Sequence, residues 1–193
     1  MTIRTLLENA VAQRPDGVAL CYRRDTAWRS CTYAKLAEGA SQMAEAFARL
    51  GAKPGEAPVA VIFENSPEWI ETYLAAAGAG VAVVPLDPKL RPEEVAYVLK
   101  DSEASLVVTD SRHRELLESI LPGLPSVLAV VLVDGGSAAL PPVAGRPCYD
   151  YEALRAQSAS APLAWYAANK PVPQAIASII YTSGTTGKPK GAM

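Results

Sequence analysis

Apolar and polar residues follow two different periods along this chain. Short runs of Val, Ile, Leu and Ala, each long enough for one buried strand, occupy residues 58–63, 81–85, 105–109, 127–133 and 175–181. Between them lie amphipathic stretches, the longest of which carries Leu36, Ala40, Met43 and Phe47 at spacings of four and three. Apolar runs that alternate with amphipathic helices are typical of a parallel sheet buried on both sides. The pattern therefore predicts an α/β fold with a mostly parallel sheet and helices on both faces.

Local capping signals predict where several elements begin. Ser66 followed by Pro67 predicts a helix start, because serine can cap the free N–H groups and proline suits the first helical position. The apolar residues expected on the inner face of that helix are Trp69, Ile70, Tyr73, Leu74 and Ala77. Residues 18–22 and 28–32 predict a β-hairpin. Thr32 is expected to cap the long helix that follows it.

The later part of the chain is less regular. Residues 134–147 are rich in Gly, Pro and Ala and predict a surface loop. A short helix is expected at residues 149–157, and residues 158–173 specify little structure. The last apolar run, at residues 175–181, predicts a final strand that leads directly into a glycine-rich loop.

Composition narrows the class of protein. The chain has 193 residues and a net charge of -2, with 18 basic and 20 acidic residues interspersed, so it has no basic patch for nucleic acid or an acidic membrane. The longest apolar stretch, at residues 74–86, is shorter than the roughly 20 residues of a membrane helix. The N-terminus lacks the apolar segment of a signal peptide. We therefore expect a cytoplasmic protein without a membrane span or a nucleic-acid partner.

The cysteines, the histidine and two aspartates give no independent sign of a site. Three cysteines favour reduced thiols, although Cys21 and Cys31 could face each other across the predicted hairpin. His113 is the single histidine, and because arginines flank it at a polar helix start, we expect it on the surface. Asp87 and Asp110 follow strands, and helix capping or turn formation explains them. Without a Cys/His cluster no metal site is expected.

Residues 182–191 combine the chemical groups that suit a polyphosphate. Glycines let the backbone approach a ligand closely, and N–H groups, hydroxyls and ammonium groups bind phosphate oxygens. The candidate residues are Thr182, Ser183, Gly184, Thr185, Thr186, Gly187, Lys188 and Lys190. A Walker A loop would need glycine in place of Thr182 and a hydroxyl residue in place of Pro189, and the glycine-rich dinucleotide fingerprint is also absent. Two lysines and four hydroxyls behind a buried strand favour a binding loop over an ordinary solvent turn.

This loop resembles the signature of a known family. Tyr181-Thr182-Ser183-Gly184-Thr185-Thr186-Gly187-Lys188-Pro189-Lys190-Gly191 is similar to the phosphate loop of the adenylate-forming enzymes, which include acyl-CoA synthetases, aryl-CoA ligases, luciferases and peptide-synthetase adenylation domains. Three further stretches match in order: Thr32-Tyr33-Ala34-Lys35-Leu36, Asn65-Ser66-Pro67-Glu68-Trp69 and Pro85-Leu86-Asp87-Pro88. Lys35 stands where the family usually has an acid. The resemblance extends from about residue 5 to the end of the chain.

The resemblance implies a two-step reaction. A carboxylate attacks the α-phosphate of ATP, giving an acyl-adenylate and pyrophosphate, and a thiol, usually that of coenzyme A, then takes the acyl group. It implies that residues 182–188 and Lys190 hold the β- and γ-phosphates while Mg²⁺ screens their charge, so catalysis rests on positioning and electrostatic stabilisation. The implied cofactors are ATP, Mg²⁺ and coenzyme A.

The family's adenine-binding segment, its magnesium-associated acid, its C-terminal lid and its catalytic lysine all follow this loop. We therefore expect residues 1–193 to be the N-terminal portion of the large AMP-binding domain, incomplete and ending at the phosphate-binding loop 182–191. No catalytic residue or metal ligand is expected within it, and the chain alone is expected to be inactive. An uncovered sheet edge and apolar face would favour self-association.

Three functions remain open at this point. An ATP-dependent carboxylic acid–CoA ligase comes first, because Thr185-Thr186 and residues 65–69 look more like that branch of the family. The alternative is an amino-acid adenylation domain that loads a carrier protein. The third is a non-catalytic nucleotide-binding or interaction module. The carboxylic acid itself, whether fatty, aryl or amino acid, is open.

Overall fold

The chain begins with a helix, a β-hairpin and a second, longer helix. The structure is a computed structural model that describes residues 1–136, 139–159, 163–182 and 189–193. The first elements are α1 (Ile3–Gln13), β1 (Val18–Arg24), β2 (Ala27–Thr32) and α2 (Tyr33–Arg49). The hairpin is antiparallel, and the Thr32 side chain accepts a hydrogen bond from the Lys35 N–H at 3.3 Å, which confirms the predicted cap.

The two cysteines of this hairpin do not face each other. Cys21 pairs with Ser30, and Cys31 pairs with Leu20. Because neighbouring positions of a strand point to opposite sides, the two thiols are on different faces of the hairpin. Cys21, Cys31 and Cys148 are all free.

A five-stranded parallel sheet forms the centre of the fold. Its strands are β3 (Val59–Ile62), β4 (Val83–Pro85), β5 (Leu106–Thr109), β6 (Ala129–Leu132) and β7 (Cys148–Asp150). The spatial order is β4-β3-β5-β6-β7. The order reverses direction between β3 and β5, as in doubly wound sheets. The predicted fold class is therefore confirmed.

Helices cover both faces of this sheet. They are α3 (Pro67–Gly78), α4 (Pro92–Asp101), α5 (Arg114–Ile120) and α6 (Tyr151–Ala159). Val59 and Val61 point into a core shared with α2, α3 and α6, whereas Ala60 and Ile62 point into a core shared with α4 and α5. All four of these strand residues are fully buried, which explains why the strands are continuous apolar runs rather than alternating ones.

The most deeply buried residues of helix α3 differ from the predicted ones, although Trp69, Tyr73 and Leu74 pack, partly buried, against the same core. Its buried residues are Glu71, Thr72, Ala75, Ala76, Ala77 and Gly78, so of the predicted residues only Ala77 is fully inside. Trp69 and Tyr73 stack on each other with ring centroids 5.6 Å apart, and both are only partly buried. The reason is the close packing of α3 on α2, which admits small side chains and places the aromatic pair at the flank.

The predicted loop at residues 134–147 leads into a strand that the sequence pattern did not indicate. Strand β7 has only three residues, too few for a periodic pattern. The carboxylate of Asp150, its last residue, accepts a hydrogen bond from the Ala153 N–H at 2.8 Å. The first turn of α6 is capped in this way. A short helix, α7 (Ala164–Ala168), follows.

The last described segment runs beside β4 and ends in a small hairpin. Ser178 forms a parallel bridge with Val83, and the Ile179 N–H donates to the Val83 carbonyl at 2.9 Å. The hairpin consists of β8 (Ile180–Thr182) and β9 (Lys190–Ala192). No helix within the described ranges is long and apolar enough to cross a membrane.

Candidate functional site

The two ends of the predicted phosphate loop are paired in the terminal hairpin. Tyr181 is opposite Gly191 and Thr182 is opposite Lys190 in an antiparallel ladder. Six of the candidate residues lie outside the part of the chain that the structure describes: Ser183, Gly184, Thr185, Thr186, Gly187 and Lys188. The connection between β8 and β9 therefore begins and ends at a fixed pair, Thr182 and Lys190.

Thr182 and Lys190 present their side chains together on the exposed face of the hairpin. Both residues are exposed, whereas Tyr181 and Gly191 are partly buried on the other face. Directly opposite residues in an antiparallel pair have Cβ atoms about 4.5–5.5 Å apart. A side chain with a hydroxyl and one with an ammonium group thus extend from adjacent positions, and both groups can bind phosphate oxygens.

The loop end of β8 points towards the carboxyl edge of the main sheet. The segment is parallel to β4, and ligands of open α/β sheets bind at that edge. A cleft of about 300 Å³ there is lined by residues 63–65, Trp69 and residues 85–89. Two of the family-like stretches, at residues 65–69 and 85–88, therefore contribute to one cleft.

His113 is buried rather than exposed, contrary to the expectation from sequence. Only 8% of its surface is accessible. Its Nδ1 is 2.8 Å from Asp110 Oδ1, and its Nε2 is 3.1 Å from the Pro88 carbonyl oxygen. Both ring nitrogens thus face oxygen atoms of the protein.

The neighbouring acids have structural roles. Burial alone would raise the pKa of Asp110, but hydrogen bonds from Arg112 and His113 lower it below its ordinary value. Asp110 also caps a short 3₁₀ turn, accepting from the Arg112 N–H at 3.1 Å. The Asp87 carboxylate accepts from the Lys89 N–H at 2.9 Å, which closes a turn. Both carboxylates thus stabilise local turns of the backbone.

A second buried carboxylate lies between helices α2, α3 and α6. The Tyr151 hydroxyl donates to Glu71 Oε1 at 2.9 Å, and Arg155 Nη1 is 3.4 Å from Oε2. Burial raises the pKa of Glu71 to about 6, although Arg155 and Tyr151 oppose the shift. A Cβ on Gly39 would lie 2.1 Å from Oε2 of Glu71. This cluster fills a helix interface, which sequence reasoning missed because its members are far apart in the chain.

The described residues hold no cluster of three or more His, Cys, Asp or Glu side chains that could bind a metal ion. They therefore provide no ligand set to which Mg²⁺ could be assigned.

A family profile and individual relatives were compared with the chain, and their matches agree with one another. The sequence profile described as AMP-binding enzyme matches residues 7–193. The chain is 34% identical over 193 residues to tyrocidine synthase 3 of Brevibacillus parabrevis. It is 31% identical over 194 residues to N-(5-amino-5-carboxypentanoyl)-L-cysteinyl-D-valine synthase of Penicillium rubens.

The fold also matches solved structures. The adenylation domain of a carboxylate reductase from Mycobacterium chelonae superposes with a TM-score of 0.84 at 22% identity, over 100% of this chain and 34% of that one. The sequence matches cover 100% of this chain but 2% of tyrocidine synthase 3, and 98% of this chain but 4% of the Penicillium synthase. The chain thus spans a small part of these curated relatives and about a third of the solved domain.

Proposed function

Because the chain belongs to the AMP-binding enzyme family, we propose that residues 1–193 form the N-terminal portion of an adenylate-forming domain, with its phosphate-binding loop at residues 182–191. The observation that carries the proposal is the pairing of Thr182 with Lys190 at the ends of the family-like signature. The chain covers 34% of the solved adenylation domain. This coverage supports the proposal that it is one portion of such a domain.

The proposed reaction begins with activation of a carboxylic acid by ATP. The carboxylate oxygen attacks the α-phosphorus, the bond to the bridging oxygen breaks, and pyrophosphate leaves. The Lys190 ammonium and the Thr182 hydroxyl stabilise the negative charge that develops on the leaving phosphates. Ser183, Gly184, Thr185, Thr186, Gly187 and Lys188 are proposed to complete this site on sequence grounds.

The proposal includes Mg²⁺ without a ligand from this chain, and it changes the expected thiol acceptor. Mg²⁺, when bound with ATP, neutralises phosphate charge, and no residue of this chain is assigned to hold it. Coenzyme A was expected from the family branch that Thr185-Thr186 resembles. The similarity to peptide-forming synthases favours a carrier-protein thiol instead.

We propose an amino acid as the carboxylic acid. The Penicillium relative is named for a product that consists of amino-acid residues, and tyrocidine synthase 3 is similar to this chain at 34% identity. Amino-acid adenylation followed by transfer to a carrier protein is therefore preferred over the CoA ligase that the sequence alone placed first. The CoA ligase stays as the second candidate, because Thr185-Thr186 resembles that branch.

The test uses the full-length protein that carries this chain. ATP–pyrophosphate exchange should rise with one or a few amino acids and not with fatty or aryl acids, and the product should pass to a phosphopantetheinyl carrier rather than to free coenzyme A. Exchange that depends on a fatty or aryl acid and forms a CoA thioester would favour the second candidate. Absence of ATP–pyrophosphate exchange with every carboxylic acid tested would favour the third candidate, a non-catalytic nucleotide-binding or interaction module.

Two variants test the loop itself. Lys190→Ala should reduce exchange by about tenfold or more, because it removes a charge at the leaving phosphates. Lys53→Ala is the matched control, since Lys53 is an exposed lysine whose ammonium group lies 3.5 Å from the Glu56 carboxylate, away from the loop. Equal activity of both variants would contradict the proposed role of Lys190. The 193-residue chain alone should show no exchange.

Exposed apolar side chains of the last segment are the basis for a proposal about association of the isolated chain. Val172, Ile176 and Ile180 expose 61%, 45% and 53% of their surfaces. We propose that the isolated chain associates through these side chains. Sedimentation of a single monomeric species at high concentration would contradict this.

A further inference from the structure

The side chain of Tyr181 connects the phosphate-loop hairpin to helix α4. Its hydroxyl donates a hydrogen bond to Asp101 Oδ2 at 2.7 Å. Asp101 is the last residue of α4. The ring of Tyr181 packs against the apolar core that the sheet shares with α4 and α5. Strand β8 is therefore held to the body of the fold one residue before Thr182.

Gly191 provides the space for this ring. A Cβ at residue 191 would lie 3.1 Å from Cζ of Tyr181 and 2.8 Å from Cγ2 of Ile179. The φ angle of Gly191 is not in the left-handed region, so the requirement for glycine comes from the close approach and not from the backbone conformation. A side chain here would push the Tyr181 ring away from α4.

The position of Asp101 is not explained by the stability of its own helix. An acidic residue at a helix C-terminus faces the negative end of the dipole and is unfavourable there. Burial and the neighbouring Asp101 carboxylate raise the pKa of Tyr181, so the phenol keeps its proton and remains a donor. The bond to Tyr181 gives Asp101 a role that the helix does not.

We infer that Tyr181, Asp101 and Gly191 are positioning residues, which set the direction in which Thr182 and Lys190 present their polar groups to the phosphates of ATP. This inference rests on the proposed function of the loop. Alternate strand residues point to opposite faces, so anchoring Tyr181 and Gly191 on the inner face fixes Thr182 and Lys190 on the outer one.

Asp101→Ala separates positioning from simple stability. Alanine favours a helix and removes the unfavourable charge, so the melting temperature of the 193-residue chain should stay the same or rise. Affinity for ATP, measured by amide shift titration of the isotope-labelled chain, should fall by about fivefold, the equivalent of one hydrogen bond of about 1 kcal/mol. Tyr181→Phe should give the same loss, and the double variant should lose no more than either single one.

Tyr151→Phe is the matched control. It removes a tyrosine hydroxyl that donates to Glu71 at 2.9 Å in the helix interface, on the other side of the sheet from α4. This variant should lose stability and keep the wild-type affinity for ATP. Loss of affinity in Tyr151→Phe equal to that in Tyr181→Phe would overturn the inference.

Hydrogen exchange gives a readout that does not depend on ligand. Without ATP, the amides of β9 should exchange about fivefold faster in Asp101→Ala and Tyr181→Phe than in the wild type. Unchanged hydrogen exchange in both variants would overturn the inferred positioning role of Tyr181 and Asp101, whether or not the wild type binds ATP. A wild type that binds no ATP, with faster exchange in both variants, would overturn the proposed function of the loop while the anchoring of the hairpin stands.

Discussion

Replacement of Glu71 by glutamine should change how the stability of this chain depends on pH. The carboxylate lies between α2, α3 and α6, where burial raises its pKa from 4.5 to about 6. A shift of that size corresponds to about 2 kcal/mol. Only 7% of the residue surface is accessible, so solvent screens this contribution little.

The sign follows from proton binding. In the folded state Glu71 keeps its proton up to a higher pH than in the unfolded state. The contribution of Glu71 to stability is therefore full below about pH 4.5 and is lost as the pH rises through about 6. Glutamine keeps the shape and cannot ionise. The variant should therefore gain on the wild type by about 2 kcal/mol from pH 4 to pH 8, or about 4–8 °C in melting temperature for a chain of this size.

The measurement is denaturant unfolding of wild type and Glu71→Gln from pH 4 to pH 8. The ion pair with Arg155, at 3.4 Å, forms only when Glu71 is ionised and already opposes the rise of the Glu71 pKa, so the change of stability with pH is the informative quantity. Glu152→Gln is the control, because this exposed acid pairs with the same arginine at 2.7 Å. Parallel curves for wild type and Glu71→Gln across the range would refute the reasoning.

Three further predictions concern buried groups. Gly39→Ala should destabilise the chain by about 2 kcal/mol or more, because its Cβ has no room beside the buried carboxylate, whereas Gly123→Ala, which meets no atom within 4 Å, should change unfolding by less than about 0.5 kcal/mol. His113→Leu should lower the free energy of unfolding by about 1–3 kcal/mol, measured with denaturant, because Asp110 loses a buried partner. Wild-type stability in this variant would contradict a stabilising role of the contact between His113 and Asp110. Cys148 should react with a thiol reagent only on unfolding, since burial raises its pKa; fast labelling of the native chain would show that it is accessible.

Elements that depend on neighbouring residues were predicted well from sequence. Ser66 caps α3 by accepting from the Trp69 N–H at 3.2 Å, and Leu36, Ala40, Met43 and Phe47 are all buried as one stripe of α2. Both signals act within one or two helical turns. The parallel sheet followed from the same logic, because its strands are apolar on both sides.

Features that depend on distant residues were not predictable in this way. Glu71 is buried because Gly39 on another helix leaves room for it, and an acid in an amphipathic helix is normally assigned to solvent. His113 is buried because Asp110 and the Pro88 carbonyl satisfy its ring. In both cases the polar side chain is buried because its hydrogen-bonding partners are buried beside it. The hydrophobic pattern of the sequence does not indicate which residues those partners are.

The candidate site shows the same division within one short motif. Glycines, hydroxyls and lysines predicted a phosphate loop at residues 182–191, but the pattern did not distinguish exposed positions from those that pack against the fold. The ladder makes this distinction, because Thr182 and Lys190 are exposed on one face while Tyr181 and Gly191 occupy the other. The contact of Tyr181 with Asp101 joins residues separated by 80 positions. We therefore propose two roles for the ends of the signature, in which Thr182 and Lys190 contact the phosphates and Tyr181 and Gly191 orient them. Substitutions at the first pair should weaken binding without freeing the hairpin, and substitutions at the second should do both.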